Sequence, residues 1–189
     1  MVTFIATAYD ETLEANTFIN SLLLQTDPNW KCIVFADGGN KYIEEMLNKI
    51  NDPRISYYAS DKVKGCWGNA NRKHALDWMV TTDFVVPGAS IQDYYLPIVV
   101  QEINKYKYTY DFIYFNCIHH SKDYEVLDTK LKAGEVDWGS FALRTSIAKE
   151  TDITDFCNPL TDGMFVERCI EKHPDLKHFK IEKYLFIHN

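Results

Sequence analysis

The stretch Val2-Thr3-Phe4-Ile5-Ala6-Thr7 is short, apolar and rich in β-branched residues, a composition that predicts a buried strand of a parallel sheet. The apolar residues that follow recur at helical spacing, and Asp10 or Thr12 can serve as the N-cap of that helix. The run Lys31-Cys32-Ile33-Val34-Phe35-Ala36 then repeats the buried-strand pattern. A strand, a helix and a second strand in this order predict the start of a parallel α/β sheet.

The same alternation continues along the chain. Further strands are predicted at 55–59, 83–86 and 112–117, with Pro87-Gly88 ending the fourth strand and amphipathic helices between the strands. The order β-α-β-α-β-α-β-α-β predicts an α/β fold with a mainly parallel central sheet and helices on both faces. Ligands bind such sheets beyond the carboxyl ends of the strands. The predicted ligand-binding loops are 7–10, 37–39, 61–68 and 87–93.

The pattern changes after residue 117. A hairpin or mobile loop, a short strand, one more helix and a last strand or extended tail are predicted at 121–135, 138–144, 162–172 and 179–187. The composition shows no linker and no internal repeat, so we expect a single domain over residues 1–189.

Length and composition limit the class of protein. The 189 residues are 46% hydrophobic and 25% charged, which is enough apolar material for one packed core. The 27 acidic and 20 basic residues give a net charge of −7, opposite in sign to that of proteins that bind nucleic acid through its phosphates. No apolar run approaches the roughly 20 residues of a membrane helix, and the apolar start is too short for a signal peptide. We expect a soluble, cytoplasmic protein with no nucleic-acid partner and no integral membrane segment.

The five cysteines, Cys32, Cys66, Cys117, Cys157 and Cys169, are odd in number and widely spaced. Without a C-x-x-C pair they predict neither a zinc knuckle nor a disulfide framework. Cys32 and Cys117 lie in apolar runs and are predicted to be buried thiols, which fits a reducing compartment.

Several common motifs are absent from the sequence. No G-x-G-x-x-G follows the first strand, and G-x-x-x-x-G-K-[ST] and G-x-S-x-G do not occur. These absences argue against Rossmann dinucleotide binding, P-loop phosphate binding and an α/β-hydrolase.

Six short segments carry a different signal. They are Phe4-Ile5-Ala6-Thr7-Ala8-Tyr9-Asp10, Phe18-Ile19-Asn20-Ser21-Leu22-Leu23-Leu24-Gln25-Thr26, Val34-Phe35-Ala36-Asp37-Gly38-Gly39, Asn71-Arg72-Lys73-His74-Ala75-Leu76, the strand Asp83-Phe84-Val85-Val86 followed by Asp93-Tyr94-Tyr95-Leu96-Pro97, and Thr161-Asp162-Gly163-Met164-Phe165-Val166-Glu167-Arg168. In this order they resemble the motifs of GT-A fold glycosyltransferases of the family 2 type. The resemblance implies a single GT-A (Rossmann-like) domain, with a nucleotide-sugar-binding half at 1–117 and an acceptor-side half at 118–189.

The resemblance also implies roles for individual residues. Thr7, Ala8 and Tyr9 would bind the nucleotide, with Tyr9 stacking on the base. Asp37 would accept a hydrogen bond from the ring N–H of uracil, and Arg72 would reach the base or the diphosphate. Asp162 would be the general base that takes the proton of the acceptor hydroxyl. The diphosphate and sugar would contact Lys64, Lys73, Gln92, Asp93 and Trp138.

One motif departs from the family. Ser90-Ile91-Gln92 stands where the family carries D-x-D, the carboxylates that hold Mn²⁺ or Mg²⁺, and Asp93 remains as the single acidic metal ligand. Hard divalent cations need several oxygen ligands, so a divalent cation is an open expectation here. Without a metal, Arg72, Lys73, Lys62 and Lys64 are the cations available to the leaving group.

Each assignment has a plainer alternative. Asp37 beside two glycines is also what a tight turn selects, and Asp162 could simply favour the start of a helix. Charged helix and loop residues such as Arg72 are by default solvated. Trp67 and Trp138 could each stack on a sugar or lie in the core, and Trp138 is the preferred sugar platform. His119 and His120 are adjacent, and neighbouring residues of a strand point to opposite faces, which argues against one metal site using both.

We therefore predict a hexosyltransferase that moves a sugar from a UDP-sugar to a hydroxyl acceptor with inversion. The first alternative is a domain that binds the nucleotide sugar, or a protein partner, with little or no turnover. The second is a nucleotidyltransferase, which shares the sheet plan. It would carry a glycine-rich basic loop after the first strand, and Ala8-Tyr9-Asp10-Glu11 is neither glycine-rich nor basic.

Overall fold

The first strand, β1 (Val2–Ala8), is buried along its whole length and pairs in parallel with a strand on each side. Its neighbours are β2 (Trp30–Ala36) and β4 (Phe84–Ser90). The computed structural model describes residues 1–10, 13–153 and 157–189. The helix α1 (Leu13–Leu23) follows β1 as expected, and its predicted cap Thr12 lies outside the described residues.

The other elements follow the predicted order closely over the first two-thirds of the chain. They are α2 (Lys41–Ile50), β3 (Ile55–Ala59), α3 (Asn69–Trp78), β5 (Tyr94–Tyr95), α4 (Val99–Tyr106), β6 (Phe112–His119), β7 (Glu125–Leu127), β8 (Phe141–Arg144), α5 (Thr145–Glu150), α6 (Thr161–Lys172) and β9 (His178–His188).

The described strands form one sheet in the order β3-β2-β1-β4-β8-β6-β9-β5, with β7 paired to β6. The long pairings on both sides of β1 and between β6 and β9 are parallel, whereas β8 runs antiparallel to both β4 and β6. The predicted fifth strand therefore does not lie beside the fourth, because the short strand β8 separates them. The hairpin alternative for 121–135 is correct, since β7 pairs antiparallel with β6.

Alternation along β1 builds a core on each face of the sheet. Phe4 and Ala6 face a layer that includes Phe18 of α1 and Val99 of α4. Ile5 faces the opposite layer, where buried residues of α3 and α6 pack. Helices therefore cover both faces, as predicted, and the carboxyl ends of the parallel strands are left to form a binding site.

The strand β4 does not end at Pro87-Gly88, as the sequence suggested, but continues to Ser90. The register with β1 shifts at this point, so that the two residues Pro87 and Gly88 lie opposite Ile5. A bulge accommodates proline because no ladder hydrogen bond is needed from it. The extension carries Ser90 to the carboxyl edge of the parallel strands.

The prediction for the cysteines is partly wrong. Cys32, Cys117 and Cys169 are buried thiols, but Cys66 and Cys157 form a disulfide across 91 residues, with their Cα atoms 4.5 Å apart. No local pattern indicates this disulfide, because the two residues meet only after the fold brings their loops together. No helix in the described part of the chain is long and apolar enough to cross a membrane.

Candidate active site

A cavity of about 770 Å³ opens at the carboxyl ends of β1, β2 and β4. Its volume is in the range of small-molecule binding sites. The predicted site residues that line it are Thr7, Ala8, Tyr9, Asp37, Arg72, Gln92, Asp93, Trp138 and Asp162. Residues from both the 1–117 and the 118–189 segment therefore meet in one cavity.

Asp37 connects the end of β2 to the loop at 60–65. Its Oδ1 accepts hydrogen bonds from the Lys64 N–H (2.9 Å), the Asn71 side-chain amide (3.0 Å) and the Ser60 hydroxyl (3.2 Å), and its Oδ2 accepts one from the Gly65 N–H (2.7 Å). Burial raises the pKa of Asp37, but these hydrogen bonds outweigh it and hold the pKa below its usual range. Each carboxylate oxygen has about two acceptor positions, and among the described residues Oδ2 accepts only the Gly65 N–H, so Oδ2 retains room for one ligand donor.

Arg72 is not a solvated helix residue. It is 3% exposed, and its guanidinium lies over the Trp138 ring at 4.9 Å. It donates hydrogen bonds to the Asn69 side chain and, at 3.4 Å, to the Thr7 hydroxyl, while Nε has no hydrogen-bond partner among the described residues. No carboxylate of the described residues lies within ion-pair distance. Burial lowers the pKa of Arg72 to about 10, against the opposing effect of Asp137, Asp162 and Asp93.

Gly88 makes room for this arginine. A Cβ at Gly88 would overlap the Nε atom of Arg72, so a residue with a side chain would displace the guanidinium. The bulge in β4 and the absence of a side chain at Gly88 thus set the position of the buried cation.

Asp162 lies in the first turn of α6, which begins without a side-chain cap at Leu160. Its Oδ1 accepts a hydrogen bond from the Gly163 N–H at 2.7 Å. Burial and the Asp137 carboxylate raise the pKa of Asp162 to about 7, against the effects of the Gly163 N–H and Arg72. A carboxylate with such a pKa is suited to proton transfer near neutral pH. Its position also allows the predicted contribution to the helix start, so the two interpretations are compatible.

Asp93 is fully buried, and both of its oxygens are already in use. Oδ2 accepts a hydrogen bond from the Ser90 N–H at 2.6 Å, and Oδ1 accepts one from the Asn189 N–H at 3.2 Å. His188 Nδ1 lies 3.1 Å from Oδ1, at ion-pair distance but without the alignment of a hydrogen bond. Burial raises the pKa of Asp93 and His188 opposes it, whereas the nearby carboxylates raise the pKa of His188 despite its burial.

This arrangement does not fit an oxygen-liganded Mn²⁺ or Mg²⁺. Such cations take about six oxygen ligands, and Asp93 is a single carboxylate, each of whose oxygens already accepts a backbone N–H. The other two positions of the replaced motif that reach the cavity, Ser90 and Gln92, offer only neutral oxygens.

The two tryptophans line the same cavity but differ in exposure. Trp138, the predicted sugar platform, is 9% exposed and packs on Phe165 and under Arg72. Trp67 is 64% exposed and also lines the cavity. It lies in a run from Gly65 to Gly68 in which all four residues have positive φ, a conformation that is uncommon for residues other than glycine. The disulfide between Cys66 and Cys157 restrains this loop.

Lys64 and Lys73, predicted to contact the diphosphate, are not among the described residues that line the cavity. Lys73 instead pairs with Asp77 one turn along α3, at 2.5 Å, and Lys64 contributes its backbone N–H to Asp37. Lys122, which follows β6, does line the cavity, although nothing in the sequence marked it.

Two further features were missed. Asp137 is the N-cap of the 3₁₀ turn Trp138–Ser140, and its carboxylate influences Arg72 and Asp162. The spacing of Asp137 and Ser140 is that of a capping box, a signal that the sequence did contain. The rings of His119 and His120 stack at 5.1 Å, contrary to expectation, because β6 ends at His119 and the chain turns at His120.

Sequence comparison does not place the chain in a family. No family model matches it, and no curated protein sequence is similar enough to match.

Comparison with solved structures is more informative. The structure of S. aureus TarS 1–349 matches 100% of this chain and 60% of its own length, with a TM-score of 0.79 and 13% identity. The same fragment in complex with UDP-GlcNAc matches 98% of this chain and 57% of its own, with a TM-score of 0.72 and 14% identity. The mannosyltransferase PcManGT from Pyrobaculum calidifontis, in complex with GDP-Man and Mn²⁺, matches 99% of this chain and 56% of its own, with a TM-score of 0.71 and 12% identity.

This chain thus spans 56% to 60% of the length of these three structures, and 36% of a longer TarS structure. The likeness extends over essentially all of the present chain, so it concerns the whole sheet rather than a local motif. Together with the sheet order and the position of the cavity, it confirms the fold expected from the six sequence motifs. The chain has the fold of the GT-A-type glycosyltransferases.

Proposed function

We propose that this chain transfers a sugar from a UDP-sugar to a hydroxyl acceptor with inversion at the anomeric carbon. The observation that carries the proposal is Arg72, a buried guanidinium that faces the cavity with no carboxylate of the described residues at ion-pair distance. Burying an unpaired charge costs several kcal/mol, so a protein retains it where a ligand supplies the countercharge. A diphosphate fits this need, since a planar guanidinium matches phosphate oxygens.

The proposed nucleotide site lies in the 1–117 half. Tyr9 is about half-exposed at the cavity and would stack on the base, while the remaining acceptor position on Asp37 Oδ2 would take the ring N–H of uracil. The TarS fragment has been crystallised with UDP and with UDP-GlcNAc, which favours uridine. The mannosyltransferase holds GDP-Man, so the fold also accommodates guanosine.

Asp162 would be the general base. Its carboxylate takes the proton of the acceptor hydroxyl while that oxygen forms a bond to the anomeric carbon. The bond from the same carbon to the diphosphate oxygen breaks on the opposite face, and the electron pair leaves with UDP. The elevated pKa of Asp162 supports this role, because the group can both accept a proton and release it near neutral pH.

The leaving diphosphate would be stabilised by Arg72 and by Lys122 at the cavity wall. The residues present do not fit an oxygen-liganded cation, and no step of this mechanism is assigned to one. The acceptor would enter from the 118–189 half, which supplies Asp162.

Calorimetric titration with UDP and UDP-sugars tests donor binding. We expect wild-type protein and Lys73→Met to bind alike, and Arg72→Met to lose binding. Lys73 is the matched control, because it is a cation on the same helix that does not line the cavity. Absence of heat with every UDP compound would refute the proposal.

The alternative is a domain that binds the nucleotide sugar without turnover. The replacement of the family's D-x-D by Ser90-Ile91-Gln92 favours it. UDP release above an enzyme-free blank, abolished in Asp162→Asn while UDP still binds, would establish the transferase. Binding without release would establish the alternative.

A further inference from the structure

Three histidines converge at one wall of the cavity. The ring centroids of His119 and His188 are 4.4 Å apart, and His120 lies 5.1 Å from His119 and 5.0 Å from His188. Each residue can offer one ring nitrogen to a common point, since the ligand nitrogens all lie within 4.8 Å of one another. We name this group, His119, His120 and His188, the histidine cluster.

The fold itself brings the cluster together. The parallel strands β6 and β9 pair with His119 opposite His188, so both side chains leave the sheet on the same face. The strand then ends, and the 3₁₀ turn that begins at His120 swings the next ring onto the same side. Two residues that would diverge in a continued strand therefore converge.

We propose that the histidine cluster binds a borderline transition-metal ion, of the class of Zn²⁺ or Co²⁺, and not Mg²⁺. Imidazole nitrogen suits these metals, whereas Mg²⁺ requires oxygen ligands. Three histidines with one open coordination position are a known ligand set for zinc in enzymes. Because zinc–nitrogen distances of about 2.0 to 2.1 Å bring tetrahedral ligands about 3.3 Å apart, small side-chain rotations close the site.

A carboxylate behind one of the rings supports this assignment. Asp93 Oδ1 lies 3.1 Å from His188 Nδ1, whereas His119 Nδ1 accepts a hydrogen bond from the Ser121 N–H at 3.2 Å and lies 2.8 Å from Ser121 Oγ. A carboxylate that accepts from one ring nitrogen orients a histidine whose other nitrogen holds a metal, and a small rotation of the His188 ring would give Asp93 this role. Asp137, 3.6 Å from His188, adds a second negative charge near the cluster. A bound cation would offset the negative charges of Asp93 and Asp137 beside His188.

The open coordination position would face the cavity, because all three histidines line it. The cluster differs from the family's D-x-D site in its ligands, since none of the three is a carboxylate and two come from the end of β6. The inference does not rest on the proposed transferase function, because metal binding is measured without a nucleotide.

The test is competition between the full chain and a chromogenic chelator for Zn²⁺, together with the visible absorption of bound Co²⁺. We expect one Zn²⁺ per chain and an affinity for Zn²⁺ at least about 100-fold above that for Mg²⁺. His120→Ala should weaken Zn²⁺ binding at least about tenfold without unfolding the protein, because His120 is exposed.

His178→Ala is the matched control. His178 is an exposed histidine at the opposite end of β9, and its loss should leave Zn²⁺ affinity unchanged. Cys32, Cys117 and Cys169 are buried, so a cobalt spectrum without thiolate bands is expected. The proposal is overturned if the chain binds no stoichiometric Zn²⁺, if His120→Ala and His178→Ala bind it equally, or if Mg²⁺ competes on equal terms.

Discussion

Replacing Arg72 by methionine is expected to change the free energy of unfolding and the affinity for UDP in opposite directions. The fall of its pKa from 12.5 to about 10 corresponds to about 3 kcal/mol of unfavourable burial, at about 1.4 kcal/mol for each tenfold change. Methionine fills much of the same space without a charge. The substitution also removes the hydrogen bond to Asn69 and the contact with the Trp138 ring, together about 2 kcal/mol, whereas the bond to Thr7 is long at 3.4 Å and adds little.

We therefore expect Arg72→Met to be more stable than the wild type by about 1 kcal/mol. Urea unfolding followed by tryptophan fluorescence measures this, provided that the slope of the transition is unchanged. The same variant should bind UDP at least about 100-fold more weakly, because two or more charge-assisted hydrogen bonds are lost. Loss of stability above about 1 kcal/mol, or unchanged UDP affinity, would refute the reasoning.

Arg54→Met is the matched control for stability. Arg54 also lies over a tryptophan ring, at 4.0 Å from Trp30, but it has a carboxylate partner in Asp52 at 2.7 Å. Removing this paired arginine should destabilise the protein by about 1 kcal/mol. The free energy of unfolding is therefore expected to fall in Arg54→Met and to rise in Arg72→Met. This difference measures the effect of the countercharge that Arg72 lacks.

Four other predictions concern Asp162, the disulfide and the two tryptophans. Asp162→Asn should lower UDP release about 100-fold to 10,000-fold with UDP affinity nearly unchanged. In the wild type the rate should rise with pH through about 7, as Asp162, faced by Asp137, Arg72 and His188, loses its proton; a flat profile from about pH 6 to 8 would contradict this role. Cys66→Ser should lower the free energy of unfolding by about 2 to 4 kcal/mol, because the disulfide closes a loop of 91 residues. A reducing agent should weaken the wild type equally and leave the variant unaffected, and equal stability of variant and wild type would argue that the bond is absent in solution. Trp67→Ala should weaken UDP-sugar binding at unchanged stability, whereas Trp138→Ala should destabilise the fold by about 3 kcal/mol or more; the reverse outcome would restore Trp138 as the platform.

The fold could be predicted from the sequence because its signals are local. Apolar runs such as 2–7 and 31–36 with amphipathic segments between them specify parallel strands and crossover helices, and the structure contains them. The place of β8 between β4 and β6 could not be predicted. It depends on the pairing of Val85 with Leu143, and no local sequence pattern predicts a contact between residues so far apart in the chain.

The candidate site was predictable where its residues follow strands, as with Tyr9 and Asp37. Predictions failed where the environment decides the role of a side chain. Lys73 follows the cavity residue Arg72 directly in the sequence. Its ammonium group nevertheless forms an ion pair with Asp77 and does not line the cavity. Trp138 and Trp67 are both followed by glycine, and only packing shows which ring is exposed. The convergence of His119 and His120 required knowing where a strand stops.

The position of β9 between β6 and β5 has a consequence for how the chain folds. Tyr94 pairs with Ile187 and Cys117 pairs with Phe186, so partners separated by about 70 to 90 residues must meet before the sheet is complete. Topologies with such distant contacts form slowly. Until β9 inserts, β5 and β6 present unpaired backbone that other chains can join, which makes the intermediate prone to aggregate. Slow formation of the complete sheet is therefore a consequence of this strand order.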